Sequence, residues 1–341
     1  MKEIKNNSKK SILSKLLAKF SRLLGYEIVD QNNFELLASG KPLNTQLTEP
    51  GKKSIVMPLG EVKITRKVKA LDIIIRTCAS VKMLTQNKER IFEKEKIEYT
   101  LRTIKSIIKG IKLAQETLPV KFKLIVIDHE SSDDNLEKIR HLIKNSSIEN
   151  EIINLDVNEF KEQMNTTNKN GKQSTDKQLS NMANIFKSLV YAKNNAQDLI
   201  YFIEDDYLHK VDAIKEFVLA YERIASQINN ELIICPADYP YLYAKADKTN
   251  ILLGEKYHWR KIDESLCSFL TSKNLLEKHW GKFTAMCKQE HYPFESPLHD
   301  IYSKELCISP IPSLAVHFTN VNSIFGLSPH VDWKKIWDEN E

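Results

Sequence analysis

Three consecutive acids, Glu204, Asp205 and Asp206, close the apolar run LIYFI. Carboxylates at the end of an otherwise buried segment need water, a cation or hydrogen-bond donors around them. A divalent cation relieves their mutual repulsion. Mg²⁺ or Mn²⁺ prefers hard oxygen ligands, often one or two carboxylates completed by substrate phosphates and water. Helix capping is the competing use, because the next helical pattern begins near Val211 and a helix start favours negative charge. Asp128 closes a second apolar run, LIVI, and opens the polar turn HESSDD. Arg76 and Thr77 end a third, LDIII. A guanidinium there could pair with a phosphate or stack on a base.

The segment HYPFESPLHDIY at 291–302 carries two further carboxylates between prolines, Asp300 and Glu295. Either could take a proton from a hydroxyl in flight, with Asp300 the first choice, or simply cap a helix. His317 closes the run SLAV, where a lone histidine is commonly a core residue with satisfied bonds. Asn181, Asn184 and Ser188 are spaced i, i+3 and i+7, a polar stripe suited to a ribose or sugar, or to bare solvent. Asp238 could be a second acid lining a cleft, and Lys172 and Lys177, in the loop before that stripe, could reach a phosphate or simply be solvated.

Alternating strands and helices must position these groups. Strand patterns cover 71–77, 123–134, 151–157, 198–207 and 231–240, and helical patterns cover about 92–117 and 178–196. Residues 161–177 are polar without apolar periodicity and read as a mobile loop. The alternation predicts an α/β fold with a mostly parallel sheet, whose ligands collect outside the carboxyl ends of the strands. Three segments result: 1–68, an amphipathic helix and lead-in; 69–320, the α/β domain; and 321–341, a tail whose Trp333 and Trp337 dock a short helix.

Bulk properties narrow the classes. The chain has 341 residues and a net charge of +5, with no nucleic-acid-binding signature. Five scattered cysteines without a C-x-x-C pair suit reduced thiols in the cytoplasm. No apolar run is long enough to span a bilayer. Residues 11–24, SILSKLLAKFSRLL, have a basic amphipathic pattern for peripheral contact at the inner face of the membrane, or for packing on protein.

The ordered set, IDHESSDD after one strand and then helix–LIYFIEDDY, resembles the nucleotide-sugar glycosyltransferases of the GT-A fold, especially family 2. The resemblance implies a Rossmann-like sheet flanked by helices, a nucleotide-sugar donor, a glycan or lipid-linked acceptor, and a Mn²⁺ or Mg²⁺ ion. It places Asp128 near the nucleotide base. Asp206, with Glu204 and His317, falls at the metal, and Arg76, Thr77, Asn181, Asn184 and Asp205 at the donor. Arg76-Thr77-Cys78 replaces the P-x-Y common in relatives. The likeness tilts toward inversion and toward surface polysaccharide or lipid-linked glycan assembly. A sugar nucleotidyltransferase shares the strand order but begins with a Gly-rich loop that RTCASVKML lacks. A non-catalytic scaffold is the other alternative. Absence of G-x-G-x-x-G disfavours dehydrogenases and methyltransferases.

Overall fold

The computed structural model describes residues 12–25, 54–57, 60–80, 91–168, 170–244, 248–318 and 323–341. The chain divides into two units, residues 1–47 with 56–61, and residues 48–55 with 62–341. The first holds the helix α1 (Ile12–Leu23). β1 (Ser54–Met57) and β2 (Gly60–Lys63) form a two-stranded sheet.

The second unit alternates as expected. β3 (Ala70–Thr77), α2 (Lys96–Gln115), β4 (Lys121–Asp128), α3 (Asp133–Lys144) and β5 (Glu149–Asn154) come first. α4 (Asp176–Asn195), β6 (Leu199–Glu204), β7 (Tyr207–His209) and α5 (Ala213–Ile228) follow. Then come β8 (Ile233–Ile234), β9 (Ile251–Leu253), β10 (His258–Lys261), β11 (Phe269–Ser272), α6 (Lys273–Lys278), α7 (Trp280–Lys288) and α8 (Ser296–Tyr302). β12 (Cys307–Ile311), β13 (Ala315–His317) and α9 (Trp333–Asp338) end the chain.

Nine strands make one sheet in the order β5-β4-β3-β6-β11-β8-β12-β10-β9. The half from β5 to β6 is parallel throughout. β3, β4 and β6 carry apolar runs because helices cover both faces, and β3 is buried along its whole length, whereas the edge strand β5 is polar and partly exposed. β11 then runs antiparallel to β6 and β8, and β10 antiparallel to β12 and β9. The register decides the site. Thr77 lies opposite Asp128, and Arg76 lies opposite Glu204, so the polar ends of three strands meet at one edge.

Several boundaries depart from the sequence expectation. The strand predicted at 231–240 pairs only over Ile233–Ile234, where Pro236 with no N–H interrupts the ladder. The run at 123–134 leaves the sheet after Asp128, turns at Glu130 (φ 54°), and enters α3 capped by Ser132. The loop expected over 161–177 is tied down: a 3-10 turn ends at Gln163, Asn165 N–H donates to the Lys288 carbonyl, and Thr167 bridges Gln173. Its far end carries a capping box of Thr175 and Gln178. The predicted docking of the terminal helix by tryptophan is met at Trp337, which stacks on Phe92 at 4.2 Å and under Arg102 at 4.3 Å.

Candidate active site

The acids after β6 do not cap α5. The strand β7 intervenes, and Asp212 holds the N-cap position. Instead Glu204 ends β6, Asp205 and Asp206 form the turn before β7, and the three carboxylates meet different partners. Asp205 turns toward α2. Its carboxylate accepts from Thr100 Oγ1 at 3.0 Å and Cys78 N–H at 3.3 Å, and pairs with Lys96 Nζ at 3.2 Å. Sequence reasoning grouped Asp205 with the donor-binding residues; its geometry is that of a tether between β6 and α2.

Glu204 faces the neighbouring strand. Arg76, only 6% exposed, places a guanidinium nitrogen 3.3 Å from Glu204 Oε1 and donates to the Cys267 carbonyl at 3.3 Å. Burial raises the Glu204 carboxyl, Arg76 pulls it back, and Asp206 raises it again, with a net upward shift. Glu295 reaches the same place from the start of α8. It occupies the N-cap position but makes no side-chain capping bond there, so its carboxylate is not consumed by the helix. The Cys267 thiol donates to it at 3.9 Å. Burial, reinforced by the negative charge of Glu204, lifts Glu295 to about 7. Asp300 lies on a solvent-exposed part of α8, its side chain 59% exposed and paired with Lys282. Of the two carboxylates expected as candidate bases, Glu295 lies beside Glu204 and Arg76, and Asp300 faces solvent.

Asp206 faces His317, with Nε2 3.4 Å from Oδ2. β13 pairs antiparallel to β7 so that His317 sits opposite Tyr207, and the two rings stack at 4.6 Å. His317 Nδ1 lies 3.1 Å from the Phe325 carbonyl, which orients the ring and leaves Nε2 toward Asp206. Burial pulls the imidazole down, but Asp206 and then Glu204 outweigh it and the net shift is upward. Phe325 is fixed in turn against Tyr239 and Tyr241, and Phe318 N–H donates to the Asp206 carbonyl at 3.0 Å. Asp206 and Glu204 keep 18% and 32% of their side-chain surface exposed, so both carboxylates remain in reach of a ligand.

A metal would find an incomplete protein cage here. Among the described residues no group of three His, Cys, Asp or Glu side chains is close enough to hold an ion. Glu204 is paired through Oε1 with Arg76 and stays partly exposed. Asp206 and the oriented His317 remain a convergent pair, and one or two protein ligands with substrate phosphates is a common arrangement for Mg²⁺. The residues fit a shared metal, completed by a ligand.

Asp128 organises the neighbouring turn. Thr77 and Ser131 hydroxyls both donate to its Oδ1 at 2.6 Å, and Ser131 N–H donates to Oδ2 at 3.2 Å. The polar stripe of α4 is not solvated as one surface. Asn181 is half-buried, whereas Asn184 and Ser188 are buried against the sheet. Asn184 Nδ2 donates to the Ile127 carbonyl at 3.3 Å, and its Oδ1 has no partner among the described residues. Ser188 lines a small, largely apolar cavity beneath Arg76, with Phe202, Cys267 and Phe269. Sequence reasoning did not foresee the role of Cys267, which touches both Arg76 and Glu295. Asp238, expected as a second acid lining the cleft, is instead fully buried and ion-paired with Arg260 at 3.2 Å, and the Tyr243 hydroxyl donates to it.

No family model matches the chain, and no curated protein matches it. Solved structures similar to it include S. aureus TarS, at 11% identity over 62% of this chain and 29% of that chain, TM-score 0.35. UDP-glucose pyrophosphorylase complexed with UDP-glucose shows 8% identity over 73% and 91% of the two chains, TM-score 0.36. The galactosyltransferase LgtC, in complex with donor and acceptor sugar analogs, shows 9% identity over 69% and 67%, TM-score 0.33. The chain spans under a third of TarS. The sheet, with acids at the ends of β4 and β6, has the architecture that the GT-A resemblance implies.

Proposed function

We propose that this chain transfers a sugar from a nucleotide-diphosphate sugar to a hydroxyl of a glycan or lipid-linked glycan, with inversion, in the cytoplasm. The observation that carries the proposal is the meeting, at one sheet edge, of the Asp206–His317 pair with Arg76, Glu204 and Glu295. A Mn²⁺ or Mg²⁺ ion held by Asp206 and His317 would neutralise charge on the donor's diphosphate. Arg76 adds a fixed positive charge beside it, and Glu204 keeps that guanidinium in place. Thr77, Asp128, Asn181 and Asn184 line the adjoining end of the sheet and of α4, where the nucleoside is expected. Of the two asparagines only the half-buried Asn181 keeps surface that a ribose hydroxyl could meet; Asn184 is buried beneath it against β4.

Glu295 is the base. Its carboxylate takes the proton of the acceptor hydroxyl as that oxygen bonds to the anomeric carbon. The bond from that carbon to the diphosphate oxygen breaks, and the electron pair leaves with the diphosphate. A value of about 7 leaves a substantial unprotonated fraction at neutral pH. The test is metal-dependent hydrolysis or transfer from UDP- and GDP-sugars, with Asp206→Ala as control. Activity that requires the metal and disappears in the variant supports the proposal. Pyrophosphate release from nucleoside triphosphate and sugar phosphate, without sugar transfer, would replace it with nucleotidyl transfer.

A further inference from the structure

We propose that α1 is a docking helix that lies flat on an anionic lipid bilayer. Seven large apolar side chains of residues 12–24 are exposed, from Leu17 at 57% to Ile12 at 80%. At about 100° per residue, Ile12, Leu13, Leu16, Leu17, Phe20, Leu23 and Leu24 fall within an arc of about 140°. A soluble helix does not normally leave such a continuous stripe in water, because exposed apolar patches of this kind mark contact surfaces. Lys15, Lys19 and Arg22 occupy positions flanking that stripe.

Charge selects the partner. The first 25 residues carry seven Lys and Arg against one Glu, whereas residues 26–341 carry 43 against 44. The whole positive excess of the protein is therefore concentrated on and before this helix. An apolar face beside a basic flank matches acyl chains beneath anionic headgroups. A protein partner would need a groove for the stripe and acids for the flank, and the nearly neutral remainder of this chain has no comparable excess of acid. Among the described residues α1 is too short to cross: twelve helical residues span about 18 Å against a hydrocarbon core of about 30 Å. Gly25, at φ 82°, ends the helix in a left-handed turn that a side chain would strain.

This inference is independent of the sugar chemistry and is tested without it. The full chain is floated with vesicles of phosphatidylcholine alone and of phosphatidylcholine mixed with phosphatidylglycerol. It should rise with the mixed vesicles, at least tenfold more than with the neutral ones, and added salt should weaken this binding. Leu16→Glu with Phe20→Glu should abolish flotation without changing the melting temperature, and Lys19→Glu should reduce it severalfold. A wild-type chain that stays below both kinds of vesicle overturns the proposal. So does a self-associated chain that the double variant converts to monomer with no change in vesicle binding, which would assign the stripe to a second copy.

Discussion

Replacing Glu295 by Gln should separate activity from stability in a way that a half-buried functional carboxylate allows. The substitution keeps shape and removes the charge. In the folded chain the carboxyl is displaced from its ordinary 4.5 to about 7, first by burial and then by Glu204. A raised carboxyl holds its proton longer when folded than when unfolded, so its contribution to stability is full below about 4.5 and is lost as pH rises through about 7. At pH 8 the ionised side chain would cost at most about 3 kcal/mol on this displacement. Its half-buried position and the nearby Arg76 reduce that to about 1–2 kcal/mol. We expect Glu295→Gln to melt about 2–4 °C higher than wild type at pH 8, with the difference vanishing near pH 4. The same variant should lose about 10²–10⁴-fold in turnover, the usual worth of a general base. Wild-type turnover should rise with pH to a plateau above about 7. Calorimetry across pH and steady-state rates on one preparation give both readouts. Turnover near wild type in the variant, or a melting difference independent of pH, would refute the role of Glu295 and the electrostatics behind it.

Two further variants address the neighbouring acids. Asp300→Asn should leave turnover and donor affinity close to wild type, because the side chain is exposed and paired with Lys282; a large kinetic loss would return it to the site. Asp205→Asn should act on stability, since it weakens a buried carboxylate with donors from Thr100 and Cys78 and leaves Lys96 without its charge partner. Loss of about 2–4 kcal/mol in denaturant unfolding is expected, and an unchanged midpoint with lost donor binding would make it a ligand instead.

Much of this arrangement is legible in the sequence, for identifiable reasons. The parallel strands announce themselves because burial on both faces demands apolar runs, and their polar ends stand out by contrast. The pairing of Arg76 with Glu204 is not legible, since it depends on a register that local pattern does not encode. Nor is the tight turn after β6 legible, and that turn sends Asp205 toward α2 and Asp206 toward His317. Glu295 and Asp300 look equivalent in sequence and are distinguished only by Cys267 on one side and Lys282 on the other. Asn184 and Ser188 share the α4 stripe with the half-buried Asn181, and only the position of the sheet reveals that those two are buried.

The central claim is that Asp206 and His317 share a divalent ion with a nucleoside diphosphate. Thermal unfolding of wild type and Asp206→Asn with UDP, GDP, CMP or dTDP, each with and without Mn²⁺, tests it most directly. One nucleoside diphosphate should raise the wild-type melting temperature only when Mn²⁺ is present, and Asp206→Asn should weaken that affinity more than tenfold, about 1.4 kcal/mol. Equal stabilisation of the two proteins, or stabilisation indifferent to Mn²⁺, would contradict it.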